Sequence, residues 1–399
     1  MKTAKLNFLA IAAIFLGIRF AIADAGAIAA ADNGFAFNLL NQIAKEQPGN
    51  NLFISPLSAA TALQVVANGA AGETKNEMQN VLKTSGVSQA DLNANAKDLN
   101  QSLNAQTNVI LELANGIWFQ NDFHLERDFI ATNEHFFDAK LAAVDFKNAK
   151  AAEVINRWAD KQTRGKIQKI VSFPFPPQTR VILANAIYFK GKWADPFKKS
   201  LTSPRNFHLA DGAIEPVPMM GKSKSFEYLE TDGFQAVKLP YSGGRLEMIL
   251  VLPATDSGPQ KVLAEFSGKD WQESFLAKFS NRDGFLAFPK FKLDYEITLN
   301  DALKAIGMKR AFSAGADFSA MTEEPLFISE VKQKSFVDVN EEGTEAAAVT
   351  TVTMVASVAI RKPPPFQMIV DRPFLFLIED RETQTILFMG IVADPKAAE

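Results

Sequence analysis

The chain has three histidines, His124, His135 and His208, and none stands at a metal-ligand spacing from another histidine or a carboxylate pair. It has no cysteine, which removes thiolate nucleophiles, disulfides and zinc-thiolate sites together. No GxSxG elbow frames a serine, and the glycines form neither GxGxxG nor GxxxxGK[ST]. An activated acyl-transfer nucleophile and a phosphate cradle are therefore both without support. The chain is not read as an enzyme, and no cofactor or metal is expected.

One stretch differs from the rest in its chemistry. From Glu341 to Ile360 the chain reads EEGTEAAAVTTVTMVASVAI, two carboxylates followed by small and β-branched residues with no aromatic anchor. Such a segment extends readily as a strand but lacks the bulky side chains that pin a strand in a core. Pro363-Pro364-Pro365 then stiffen the chain into polyproline II, which cannot continue a central strand. Composition alone leaves the segment open between an edge strand running into a loop and an exposed functional loop.

The surrounding elements read as a mixture. Apolar residues recur at helical spacing from Asp32 to Lys45 and from Ser58 to Asn68. Val181 to Phe189, Ala236 to Leu239, Leu246 to Pro253, Leu375 to Ile378 and Thr385 to Val392 read as strands, the last two joined by a polar turn, Glu379-Asp380-Arg381-Glu382. Without regular βαβ alternation the class is α+β. No internal repeat, Gly/Ser linker or charge block divides the chain, so one domain is expected over 32–395. The 33 phenylalanines, against four tryptophans and four tyrosines, suit a core of apolar rings that need no polar partner.

With 42 basic and 45 acidic residues the net charge is -3, and no Lys/Arg block is dense enough for a phosphate surface. Nucleic acid is not expected as a partner. Lys2 and Lys5 precede an apolar run from Leu6 to Ile18, and small residues such as Ala21-Ile22-Ala23 follow. That layout is a signal peptide over 1–23 and implies a secreted or periplasmic protein. The run is too short to span a bilayer, so no membrane is expected as a partner. Asn100-Gln101-Ser102 is a glycosylation sequon, relevant only in a eukaryotic secretory route.

From about Asp32 to Pro395 the chain resembles the serpins, inhibitors of serine proteases. The motifs run in serpin order: Asn51-Leu52-Phe53-Ile54-Ser55-Pro56-Leu57-Ser58 with Gly69 to Thr74; Ile155-Asn156-Arg157-Trp158 through Ile167; Leu183 to Trp193; Leu239-Pro240-Tyr241; and Val370 to Phe376. The resemblance implies three β-sheets, about nine helices and an exposed reactive loop over 341–365. It further implies a monomer whose loop is cleaved by a target protease and then inserts into the main sheet while still ester-linked to it.

By the same resemblance the hinge is Glu341, Glu342, Gly343, Thr344, Glu345, Ala346, Ala347 and Ala348, and the reactive bond is Ser357-Val358. Met354, Val355, Ala356 and Arg361 remain alternatives for the residue before the bond. Alternation along a strand turns Thr344, Ala346, Ala348, Thr350, Val352 and Met354 toward the core and Glu345 outward. Gly343 to Ser357, fifteen residues, would give roughly 50 Å of inserted strand. Small residues at the bond suit elastase-like or subtilisin-like serine endopeptidases rather than a trypsin-like pocket, which pairs with a cation. The resemblance places Asn51, Ser55, Ser58 and Asn185 where the sheet parts, Gln333 where many serpins carry a histidine, Lys290 opposite Glu341, and Trp193 beneath the insertion point.

Overall fold

The computed structural model describes residues 26–106, 108–266, 271, 275–344 and 363–396. The leader expected over 1–23 and the loop residues Glu345, Ala346, Ala347, Ala348, Ser357 and Val358 lie outside them. Helix α1 (26–46) leads through strand β1 (Leu52–Ile54) to helices α2 (Pro56–Ala67), α3 (Gly72–Val81) and α4 (Gln89–Asn104). Next come β2 (Val109–Gln120), α5 (Arg127–Phe137), β3 (Lys140–Val144), α6 (Ala149–Gln162) and β4 (Val181–Lys192). A run of strands follows, β5 (Ser203–His208), β6 (Ile214–Glu230), β7 (Phe234–Pro240) and β8 (Leu246–Pro253), and then α7 (Pro259–Phe266). The chain continues through β9 (Ser280–Pro289), β10 (Phe291–Thr298), α8 (Asn300–Ala305), β11 (Glu330–Asn340) and the two-residue β12 (Gly343–Thr344). It ends with β13 (Phe366–Ile369), β14 (Phe374–Asp380) and β15 (Thr385–Val392).

The α+β class expected from sequence is what forms, with eight α-helices among the described residues. Their strands make two hydrogen-bonded sheets where the resemblance counts three. The 17-residue β6 explains this: it pairs with β5 along its first part, with β9 beyond Met219, and with β7 at its end. The nine strands around it run in the order β1-β15-β14-β8-β7-β6-β9-β13, with β5 beside β6. The six-stranded sheet runs β10-β11-β12-β4-β2-β3, and β11 also pairs directly with β4.

A layer of apolar side chains joins the two sheets. Ile187, Phe189 and Val337 come from the six-stranded sheet and meet Met248, Leu250, Phe376 and Phe388 from the other. The outer face of the six-stranded sheet is covered by α6, whose Ile155 and Ala159 pack with Trp118, Ile182, Ala184 and Ala186. Burial on both faces explains why β4 reads as a continuous apolar run rather than an alternating one. Helix α2 is buried over its whole length; Ser55 caps it, its hydroxyl accepting from the Ser58 N–H, and Pro56 opens its first turn, where no amide donor is needed.

One segment corrects the sequence reading. Glu379 and Asp380, expected in an exposed turn, are the last two residues of β14 and are 1% and 0% exposed. Asp380 is held there by Arg245, whose Nε and Nη2 donate to its two oxygens at 2.8 and 2.9 Å. Two-pronged pairing of this kind offsets the cost of burying a carboxylate.

Candidate functional site

The site is the seam between β11 and β4, which differs along its length. From Glu330–Ile182 to Phe336–Tyr188 the two strands pair directly and in parallel. At their far ends β12 lies between them, antiparallel to both: Gly343 faces Asn340 and Lys192, and Thr344 faces Val339 and Gly191. The chain leaves β11, turns at Glu341-Glu342 and re-enters the same sheet two residues deep.

Glycine is required at the point of re-entry. Gly343 has φ +146°, and a Cβ there would lie 2.1 Å from the Gly191 carbonyl oxygen and 2.7 Å from the Lys192 Cα. Backbone cannot give way as a side chain can, so both the dihedral and the space exclude a side chain. Thr344 is completely buried, as expected for a core-facing residue, and its hydroxyl lies 2.8 Å from the Tyr241 hydroxyl. The Tyr241 ring stacks on Trp193 at 4.7 Å. Trp193 closes the entry from below: its indole N–H donates to the Asn340 carbonyl at 2.9 Å and its backbone N–H to the Glu342 carbonyl at 3.0 Å.

The turn itself is held by charge. The Glu341 carboxylate takes Lys290 at 3.1 Å and accepts from the Thr202 hydroxyl at 2.8 Å, while the Phe197 N–H donates to the Glu341 carbonyl at 2.7 Å. Burial works to raise its pKa, but its own backbone amide, Thr202 and Lys290 together outweigh burial and hold the group below the usual carboxylate range. Glu342 pairs with Lys199 at 2.9 Å, and this hydrogen-bonded partner pushes the lysine up.

Deeper along the seam the fastening is neutral. Gln333, on β11, accepts from the Ser55 N–H and donates to the Ser55 carbonyl, both at 2.9 Å. Ser55 Oγ donates to the Leu387 carbonyl of β15 at 2.8 Å. On the other side, Asn115 of β2 accepts through Oδ1 from Ser58 Oγ at 3.0 Å and from Asn185 Nδ2 at 2.6 Å. Asn185 stands opposite Gln333 across the seam and opposite Asn115 across β2–β4. Ser55, Ser58, Asn185 and Gln333 are all buried. Hydrogen bonds between neutral side chains can be exchanged without stranding a charge.

Asn51 is not part of this group. It accepts from the backbone N–H groups of Ala393 and Asp394 at 2.7 and 2.9 Å and donates to the Asp394 carbonyl at 2.6 Å, so it fastens the end of the chain instead. Four residues not singled out as site residues in the sequence belong to the site: Asn115, Tyr241, Thr202 and Lys199. Asn115 carried a weak signal, an amide set between apolar residues on either side in the middle of β2. Tyr241 stands in the Leu239-Pro240-Tyr241 motif, which by itself does not say what its hydroxyl meets. Thr202 and Lys199 are brought in from a distant segment and carried no signal.

The chain carrying this seam is similar in sequence and fold to known proteins. Residues 30–395 match the family model described as serpin, serine protease inhibitor. The chain belongs to the serpin family. A serpin-like protein of Thermococcus kodakarensis is 38% identical over 369 residues, 91% of this chain and 85% of the relative. The leukocyte elastase inhibitor of Sus scrofa is 33% identical over 381 residues, 92% of this chain and 99% of that protein. Among solved structures, human thyroxine-binding globulin, crystallised with its hormone, matches with a TM-score of 0.85 at 27% identity over 94% of this serpin and 100% of that chain. Serpins are mostly protease inhibitors, and thyroxine-binding globulin is one of the members that are not.

Proposed function

We propose that this serpin inhibits serine endopeptidases as a suicide substrate, with elastase-like or subtilisin-like enzymes as its targets. The observation that carries the reading is β12: the first two hinge residues beyond the turn already occupy a strand position between β11 and β4. The target's serine Oγ attacks the Ser357 carbonyl carbon, and the bond to the Val358 nitrogen breaks. The serine proton leaves on the new amino group, and an ester joins protease to inhibitor. Continued entry of the hinge would part the seam at Gln333 and carry the ester-linked protease along the sheet. The small residues Ala346, Ala347 and Ala348 offer little steric resistance to that path. The similarity to a leukocyte elastase inhibitor supports the choice of target. The leader-like pattern over residues 1–23 supports an activity outside the cytoplasm.

The test is incubation of the mature protein with elastase, subtilisin, chymotrypsin and trypsin, followed by denaturing gels and mass spectrometry of the released fragment. A detergent-resistant band at the summed mass of protease and serpin less the released fragment, and a fragment beginning at Val358, are expected with the first two. Loop cleavage by all four without such a band would overturn the inhibitor reading in favour of a non-inhibitory serpin acting as a carrier, storage protein or chaperone.

A further inference from the structure

On the nine-stranded sheet, away from the seam, two carboxylates face each other inside the protein. Glu379 of β14 lies directly opposite Glu247 of β8, at a point where the β14–β15 register shifts. Their side chains are 1% and 0% exposed. A register shift of this sort re-aims a side chain, and here it leaves the two acids on one spot.

Among the described residues the charged groups around the pair are these. Lys238 of β7 places Nζ 2.8 Å from Glu247 and 3.8 Å from Glu379. Arg381, just past β14, reaches Glu247 with Nε at 3.3 Å and Glu227 of β6 with Nη2 at 3.3 Å. The Trp271 indole N–H donates to Glu379 at 3.1 Å. Arg245 is engaged by Asp380 and by the exposed Glu382, so it does not serve the pair. Among the described residues Lys238 is the one cation buried with the two acids, since Arg381 is 38% exposed and shared with the partly exposed Glu227, so the buried spot holds more negative than positive charge. Among the same residues neither oxygen of Glu247 accepts an aligned hydrogen bond. A proton on Glu379 removes the surplus charge and supplies Glu247 with a donor, resolving both defects at once.

We propose that Glu379 is protonated in the native protein and donates to Glu247, making this cluster a pH-sensitive latch within the nine-stranded sheet. Burial pushes Glu379 up to about 8, with Glu247 adding to the rise and Lys238 and Trp271 opposing it. In the unfolded chain the same group titrates near 4.5. Between those values the native state binds more protons than the unfolded one, so stability falls as pH rises from about 4.5 to about 8 and levels off above it. β14 runs directly into β15, whose Leu387 carbonyl accepts from Ser55, so the latch sits one strand from the seam's fastening. The inference is independent of the inhibitor reading.

Thermal unfolding of the full chain between pH 6 and pH 9 tests it, with Glu379→Gln and Glu247→Gln for comparison. Wild type should lose about 5 °C more across that range than Glu379→Gln, whose amide donates to Glu247 without a titrating proton. Infrared difference spectra of the wild type should show a protonated carboxyl band that fades over the same range. Asp32, itself pushed up to about 7 by burial, contributes to that band, so the diagnostic part is what either glutamine variant removes. Equal pH slopes in wild type and Glu379→Gln, or a band unchanged in both variants, would overturn the protonated Glu379.

Discussion

The two ends of the β11–β4 seam are held shut by opposite means. At the upper end the strands are already apart, β12 fills the gap, and ion pairs clamp the turn, Glu341 to Lys290 and Glu342 to Lys199. At the lower end the strands touch, and amide and hydroxyl groups fasten them to the N-terminus of α2 and to β15. Together the two ends show where charge is tolerable in a sheet. Charges sit at the rim, where water is near when they part, and neutral polar groups sit in the dry interior, where an abandoned charge would cost several kcal/mol.

Three substitutions would abolish or heighten this contrast. The largest effect is expected from Gly343→Val, which puts a side chain against the Gly191 carbonyl and forces a branched residue into a backbone conformation it resists. Strain of about 2 kcal/mol in the inserted state corresponds to a fall of roughly 30-fold in the rate of insertion. The loop should then be cleaved as a substrate, and the yield of covalent complex on a gel checks it; unchanged yield would mean that β12 is incidental to insertion. Next, Glu341→Lys sets a cation against Lys290 and strands Thr202. A loss of about 2 kcal/mol is expected for a pair that is only half sheltered, with more polymer than wild type on native gels after mild heating. The smallest effect is expected from Gln333→Leu, which removes the only side chain that bonds the Ser55 N–H among the described residues but keeps the apolar volume. Denaturant titration should show a loss of about 1–2 kcal/mol, with opening of the seam quickened rather than blocked.

Much of this was readable in the sequence, for reasons that differ by residue. The hinge stood out because Glu341 to Ile360 holds small and β-branched residues with no aromatic anchor in a chain so rich in phenylalanine, and the ordered motifs placed it. The core strands β4, β8 and β15 were legible as apolar runs because each is buried on both faces. Asn51 was misplaced because nearness to Ser55 along the chain does not say which way a side chain points; it ties down Ala393 and Asp394 instead. Glu379 and Asp380 read as a turn because two acids beside an arginine look solvated, and only the tertiary fold brings Arg245, Lys238 and Trp271 to them. Thr202 and Lys199 were invisible for the same reason: a partner far away along the chain leaves no local pattern.

The two-residue strand β12 has a kinetic consequence. Adding a strand to a sheet is slowest at its first contacts, where backbone freedom is surrendered before many hydrogen bonds are gained. Gly343 and Thr344 have made those contacts while the protein waits. On the proposed mechanism, cleavage of the loop would release propagation from an existing nucleus, at a pace set by how quickly the amide of Gln333 lets go of Ser55.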